Sequence, residues 1–269
     1  MKFIYFLIKP FLGKKSLASF WEKVYIASLL GMNCGGATDA KQNDSGETIC
    51  FKYLKENMKK DKYVIFDVGA NEGQYATEII KHFDSFDYDL HSFEPSKKIF
   101  KILKKTIEDN DSNKGNIKLN NFGLNDSAKT LTLYSTNIDS GMSSLFKRDL
   151  KEFGAEMNNT EEVKLDTLDT YCKKNNIENI DLLKMDIEGN ELNALMGSKN
   201  MLKEGKIQSI QIEFGGANIA SRTYLKDFWD LLSENYKMYR IMKNGLYEIK
   251  EYKETMEIFF CTNYYFVKK

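Results

Sequence analysis

FDVGANEGQYA, residues 66–76, is the stretch that decides how this chain folds. Its first residues close the apolar run YVIFDV (63–68), which is short enough for a buried strand, and GQYATEIIKHF then continues at helical spacing. Between the two, Gly69 and Gly73 bracket a tight turn in which missing Cβ atoms let a ligand approach the backbone closely. A strand, a glycine turn and a helix in that order predict a parallel α/β sheet with its ligand at the carboxyl ends of the strands.

The alternation continues downstream. DLHSFEP (89–95) reads as a strand, SKKIFKILKKTIEDN as an amphipathic helix, and NIKLNN (116–121) as a strand again. TLTLY (130–134) is followed by VKLDTLDTYCKKN, a strand edge and then a helix capped near Asp166 or Thr167. IDLLKMD (180–186), a helix and KIQSIQIEF (206–214) come next. YKMYRIM (236–242), GLYEIK (245–250) and IFFCTNYYFV (258–267) are closely spaced and predict an antiparallel addition at one edge. One α/β domain over residues 61–269 accounts for this order, preceded by a helical extension and loop over residues 1–60.

Within the extension, Lys9 and Pro10 interrupt the apolar run FIYFLI (3–8) after six residues, too soon for a membrane span. Leu17, Phe20, Trp21, Val24, Tyr25 and Ala27 then recur at helical spacing, giving a helix whose apolar stripe needs a partner. Its own domain, a membrane surface or a second copy in a homodimer would each serve. NCGGATDAKQNDSGE (33–47) reads as a loop of functional length.

Lys+Arg and Asp+Glu both number 39, so the chain is neutral and offers no broad surface for a phosphate backbone; nucleic acid is not an expected partner. Cys34, Cys50, Cys172 and Cys261 are too scattered for a disulfide framework and read as the reduced thiols of a cytoplasmic protein. His82 and His91 lie outside any zinc-binding spacing.

The turn sequence also narrows the ligand. GANEG lacks the middle glycine of a dinucleotide fingerprint, and Glu72 would repel a pyrophosphate. Asp67 suits an ammonium group, while Asn71 and backbone N–H groups suit a carboxylate, together matching an amino-acid end. Glu94 follows Gly73 by 21 residues, the spacing at which a strand-end acid meets a ribose diol. The combination outlines S-adenosylmethionine.

At this point the sequence resembles the FkbM family of S-adenosylmethionine-dependent methyltransferases. FDVGANEGQYA, HSFEPSKKIFKIL, NFGLNDSAKTLTLY, GMSSL (141–145) and LDTYCKKNNIENIDLLKMDIEGNELNALMGS carry the resemblance, over residues 63–214. It implies a class I methyltransferase (Rossmann-like) fold, with a seven-stranded, mostly parallel sheet, and methylation of hydroxyl groups on sugars or natural products. Carried over by position, it assigns Asp67, Gly69, Asn71 and Gly73 to the methionine end, Glu94 to the ribose, and Asn121 and Phe122 to the adenine.

LLKMDIEGNEL (182–192) concentrates charge where the sheet should be apolar. Asp186 ends one strand and Glu213 the next, so the two converge if those strands are neighbours, and Glu188 joins them from the following loop. Methylating a hydroxyl requires loss of its proton. Asp186 and Glu213 could hold Mg²⁺ or Mn²⁺, Asp186 could take the proton directly, or the acids could bind sugar hydroxyls while Lys184 offsets their charge. Glu191 opens a helix, where capping competes with a site role. In GMSSLFKR (141–148), Ser143 and Ser144 could donate to sugar hydroxyls, and Lys147 or Arg148 to a phosphate of a nucleotide-linked sugar.

These readings converge on an O-methyltransferase acting on a sugar hydroxyl in bacterial surface-polysaccharide or glycan biosynthesis. Two alternatives stand beside it. An NAD-dependent sugar oxidoreductase or epimerase would need the full glycine fingerprint and a Tyr-xxx-Lys pair, and neither Tyr171 nor Tyr236 supplies one. An interaction protein built on the same fold would use the N-terminal helix as its contact face.

Overall fold

The computed structural model describes residue 6 and residues 8–35, 45–110, 115–137 and 140–269. Most of the FIYFLI run and the centre of the 33–47 loop lie outside the described residues. Eleven strands are described: β1 (Lys62–Val68), β2 (Asp87–Phe93), β3 (Gly115–Asn120), β4 (Gly123–Leu124), β5 (Lys129–Ser135), β6 (Asn159–Asp166), β7 (Leu182–Met185), β8 (Ser209–Phe214), β9 (Tyr236–Met242), β10 (Gly245–Ile249) and β11 (Thr262–Lys268).

The main sheet runs β10-β9-β11-β8-β7-β1-β2-β3. It has eight strands rather than the seven implied by the family resemblance, because β10 folds back on β9 as a hairpin and extends the edge. β9, β10 and β11 form the antiparallel addition expected at one edge, with β11 antiparallel to both β8 and β9 and seated between them. Its residues Asn263 to Val267 are buried, and an apolar strand of that kind is most stable covered on both faces.

TLTLY and VKLD leave the main sheet altogether. β5 pairs antiparallel with β6, which also pairs with β4, forming a separate three-stranded sheet. Leu133, Val163 and Leu165 bury only one face of it, so these strands could not have been accommodated in the two-sided centre.

The central strands read as continuous apolar runs because both their faces are covered. Tyr63 and Ile65 of β1 pack on one side, Phe66 and Val68 on the other. His91 of β2 is a packed imidazole: Nδ1 lies 2.8 Å from the Tyr171 hydroxyl, and burial pushes its pKa down to about 4.

Helix α1 (Ala18–Gly31) and helix α2 (Ile49–Asn57) precede β1 and behave differently. In α2, Cys50, Phe51 and Leu54 fall on one face and are fully buried against Tyr63, Ile65 and Tyr265. Replacing Leu54 by Ala should therefore cost about 2–5 kcal/mol in thermal or urea unfolding; an unchanged midpoint would mean that α2 contributes nothing to the sheet's stability. In α1, only Leu29 is buried. Among the described residues, the stripe predicted from Leu17 to Ala27 is left largely uncovered.

β1 is flanked by β2 on one side and β7 on the other, so the connections diverge there and leave a crevice beyond the strand ends. Gly69, Glu94 and Asp186 follow directly from these three strands, and Glu213 ends the neighbouring β8.

Candidate active site

The turn after β1 is built around two left-handed positions, Gly69 (φ 79°) and Asn71 (φ 46°). A Cβ on Gly69 would overlap the Asp186 carbonyl, so this glycine is required by close backbone approach as well as by its φ. Gly73 (φ 97°) precedes helix α3 (Gln74–His82). Its missing Cβ faces Leu103 and Thr106 of helix α4 (Lys97–Asn110), so it serves helix packing rather than the crevice.

Four backbone donors in this turn are already committed. Gly69 and Ala70 N–H donate to the Phe93 carbonyl, Gly73 N–H donates to Ala70, and Asn71 N–H donates to Glu94 Oε2 at 3.1 Å. These four therefore do not supply the backbone donors expected for a ligand carboxylate. Asn71 Oδ1, by contrast, is buried beside the cavity with no hydrogen-bond partner among the described residues.

Glu94 lines the same cavity. Ser96 N–H donates to its Oε1 at 2.8 Å, which leaves lone pairs on both oxygens for a further donor. Burial pushes its pKa up to about 7, opposed by the hydrogen bonds from Ser96 and Asn71. Asn121 turns aside and donates to the Glu94 carbonyl at 2.9 Å, while Phe122 packs edge-on against Phe93. An apolar wall of the cavity is made by Pro95, Gly123, Leu124, Leu133 and Leu165.

Asp67 does not reach the cavity. It is fully buried and ion-paired with Lys184 of β7, whose Nζ lies 3.1 Å from Oδ1 and also donates to the Gly69 carbonyl at 3.1 Å. Burial raises the Asp67 carboxyl above its ordinary range, and Lys184 pulls it back. For Lys184, burial acts downward but the carboxylates of Asp67, Asp186 and Glu47 outweigh it, holding the ammonium above its usual range. Its Nζ also sits 5.0 Å from the Tyr75 ring centroid. Lys184 thus holds the glycine turn, and its Nζ also lies 3.8 Å from Asp186 Oδ2, where it offsets part of the acids' charge.

Asp186, Glu188 and Glu213 come together: one carboxylate oxygen from each lies within 4.8 Å of the others. Glu188 adopts φ 52°, and Arg148 forms an ion pair with it. Burial is the main cause that raises Glu188, and Asp186 adds to it. Burial, Asp186 and Glu188 in that order raise Glu213 well above the ordinary range, and the Cys261 thiol donates to its Oε1 at 2.6 Å. Glu191 instead accepts from Ile187 N–H at 2.8 Å and Gly189 N–H at 3.2 Å. It shapes the turn that presents Glu188.

In the 141–148 segment, Ser143 lines the cavity, whereas Ser144 is buried and donates to the Glu188 carbonyl at 2.7 Å. Arg148 is occupied by Glu188 and Lys147 is exposed. Glu47, ahead of α2, was not anticipated. Its Oε2 accepts from Ser45 Oγ at 3.1 Å, its Oε1 accepts from Gln211 at 3.3 Å, and its charge acts on Lys184. No local motif marks it, because the contact spans 164 residues.

Residues 67–248, more than half of the chain, match the Methyltransferase FkbM domain. The chain belongs to the FkbM methyltransferase family. No curated protein matches it in sequence. Among solved structures, the methyltransferase FkbM from Methylobacillus flagellatus KT is 16% identical with a TM-score of 0.49, over 84% of this FkbM chain and 50% of that one. This chain therefore spans about half the length of that relative. The putative methyltransferase SMU.1697c from Streptococcus mutans, solved with S-adenosylhomocysteine, is 10% identical with a TM-score of 0.43, over 81% of this chain and 95% of that one. The order of the main sheet and its C-terminal crevice are those of a class I methyltransferase, with β10 added.

Proposed function

We propose that this FkbM-family chain transfers a methyl group from S-adenosylmethionine to a hydroxyl of a sugar, in bacterial surface-polysaccharide or glycan biosynthesis. The observation that carries the reading is that the acids Asp186 and Glu188 line the same cavity as Gly69, Asn71 and Glu94. Donor-binding groups and proton-accepting groups share one space.

The residues present fit the donor. Asn71 Oδ1, buried and unpartnered, suits an ammonium, the free lone pairs of Glu94 suit a ribose diol, and Leu133 and Leu165 offer an apolar wall for a purine. When bound, S-adenosylmethionine supplies an electrophilic methyl. The chain's own part is to orient the acceptor oxygen and receive its proton. Asp186 suits that role: its side chain is 38% exposed, lines the cavity and lies 3.8 Å from Lys184, while Glu188 beside it is held by Arg148. Sugar hydroxyls can donate to this group of carboxylates and to Ser143.

Asp186, Glu188 and Glu213 also fit a divalent cation. All are hard oxygen donors, and their mutual repulsion would be relieved by one. Mg²⁺ or Mn²⁺ there would polarise and position the acceptor oxygen. Labelled S-adenosylmethionine incubated with a panel of nucleotide-activated sugars should place label on a sugar, with turnover falling after EDTA treatment. Turnover that is unchanged by EDTA would remove the metal from the account. Transfer to none of the acceptors, with the donor bound, would overturn the sugar reading.

Affinity for S-adenosylhomocysteine should rise with pH through about 7, because only the ionised form of Glu94 offers all its lone pairs to the ribose. Calorimetry across that range checks this, and Glu94→Gln should weaken binding and flatten the profile. Equal pH dependence in the two proteins would place the titration elsewhere.

A further inference from the structure

We propose that Phe6 and residues 8–31 belong to an anchor that docks this protein on an anionic lipid bilayer. Among the described residues, eight of the fifteen exposed large hydrophobics lie in this short segment: Phe6, Phe11, Leu12, Phe20, Val24, Tyr25, Ile26 and Leu30. Such a concentration on an otherwise well-covered fold marks a surface meant to be buried.

Charge identifies what buries it. The whole chain is neutral, yet Lys9, Lys14, Lys15 and Lys23 stand against the single acid Glu22 between residues 8 and 31. Aromatic and aliphatic side chains flanked by lysines suit the boundary between acyl chains and negative headgroups. A second copy of the chain would bring two equally basic segments together, so the homodimer expected from the sequence is the less favoured occupant.

The described helix is too short to cross a membrane by itself. Helix α1 has 14 residues, about 21 Å of length, and no described helix is long and apolar enough to span. By spacing, Phe20, Trp21, Val24 and Tyr25 fall on one side of it, while Ile26 and Leu30 fall on the other among Ser19, Glu22 and Lys23, so the apolar surface reaches round the helix and Lys23 extends along it toward the headgroups. Trp21 Nε1–H donates to the Phe11 carbonyl at 3.2 Å, joining the preceding turn to the helix.

The anchor is also tied to the site. Asn33, just past α1, donates to the Ile241 carbonyl at 3.0 Å, and Gly35 N–H donates to the Cys261 carbonyl. Cys261 in turn donates to Glu213. Docking through α1 therefore holds the carboxylate end of the crevice near the bilayer.

Flotation of the full chain with vesicles tests this independently of any reaction. The protein should float with phosphatidylcholine vesicles that contain phosphatidylglycerol, not with phosphatidylcholine alone, and raised salt should release it. Lys14→Glu, Lys15→Glu and Lys23→Glu together should weaken binding by about a hundredfold. Phe20→Ser with Tyr25→Ser should also abolish flotation. All five side chains are exposed, so an unchanged thermal midpoint confirms that both variants fold. Failure of the wild-type protein to float with the anionic vesicles would overturn the proposal, as would undiminished flotation of the charge-reversed variant. So would a dimer by light scattering that is broken by Phe20→Ser with Tyr25→Ser while no vesicle binding occurs.

Discussion

Replacing Asp186 by Asn should lower kcat by about two to four orders of magnitude and leave the Kd for S-adenosylhomocysteine within a few-fold of wild type. The separation of the two effects follows from where the residue stands. Its backbone N–H donates to the Val68 carbonyl at 3.1 Å, an interaction that the substitution keeps, so the crevice retains its shape. Its side chain lines the cavity beside Glu188, and it is the carboxylate of the cluster that remains partly open to solvent. Asn conserves volume and removes the ability to accept a proton or to bind a cation with full charge. Stopped-turnover assays with labelled donor, paired with calorimetry, separate the two. Loss of both activity and donor affinity would mean that Asp186 supports the binding site instead.

The second large effect concerns stability. Lys184→Met should destabilise the protein by about 3–5 kcal/mol, because it leaves the buried Asp67 carboxyl without its cation, either unpaired or neutralised only by taking up a proton. It also deprives the Gly69 carbonyl of its donor, so donor affinity should fall as the glycine turn loosens. Adding Asp67→Asn to the same chain should recover part of the lost stability, since the two residues interact directly. Urea unfolding of the two single variants and the double variant gives the coupling. Strict additivity would show that the pair does not hold the turn.

Much of this arrangement is written locally. Apolar runs such as YVIFDV and the glycines at 69 and 73 specify a strand and a turn without reference to distant residues. Strand-end positions then place Glu94, Asp186 and Glu213, because ligands of parallel sheets gather at one end. What pairs with what is not local. The placement of β11 between β8 and β9, the hairpin that makes an eighth strand, and the departure of β5 and β6 into a second sheet all depend on which apolar surfaces remain uncovered.

The same limit explains the site residues. Asp67 and Lys184 are both polar residues on or beside strands and could have faced the ligand, but the register that sets them opposite each other across β1 and β7 directs them to one another. Arg148 has the chemistry of a phosphate ligand, yet Glu188 occupies it, a contact over 40 residues that no spacing rule contains. Leu133 and Leu165 read as ordinary strand residues. Their place in the cavity wall follows only once the second sheet lies over the crevice.

The central claim is that this crevice is a methyl-donor site, and calorimetric titration of the full chain with S-adenosylhomocysteine tests it most directly. The account predicts saturable one-to-one binding that Glu94→Gln weakens and Asp186→Asn preserves. No heat of binding from the folded wild-type protein, or affinity for NAD in its place, would contradict it.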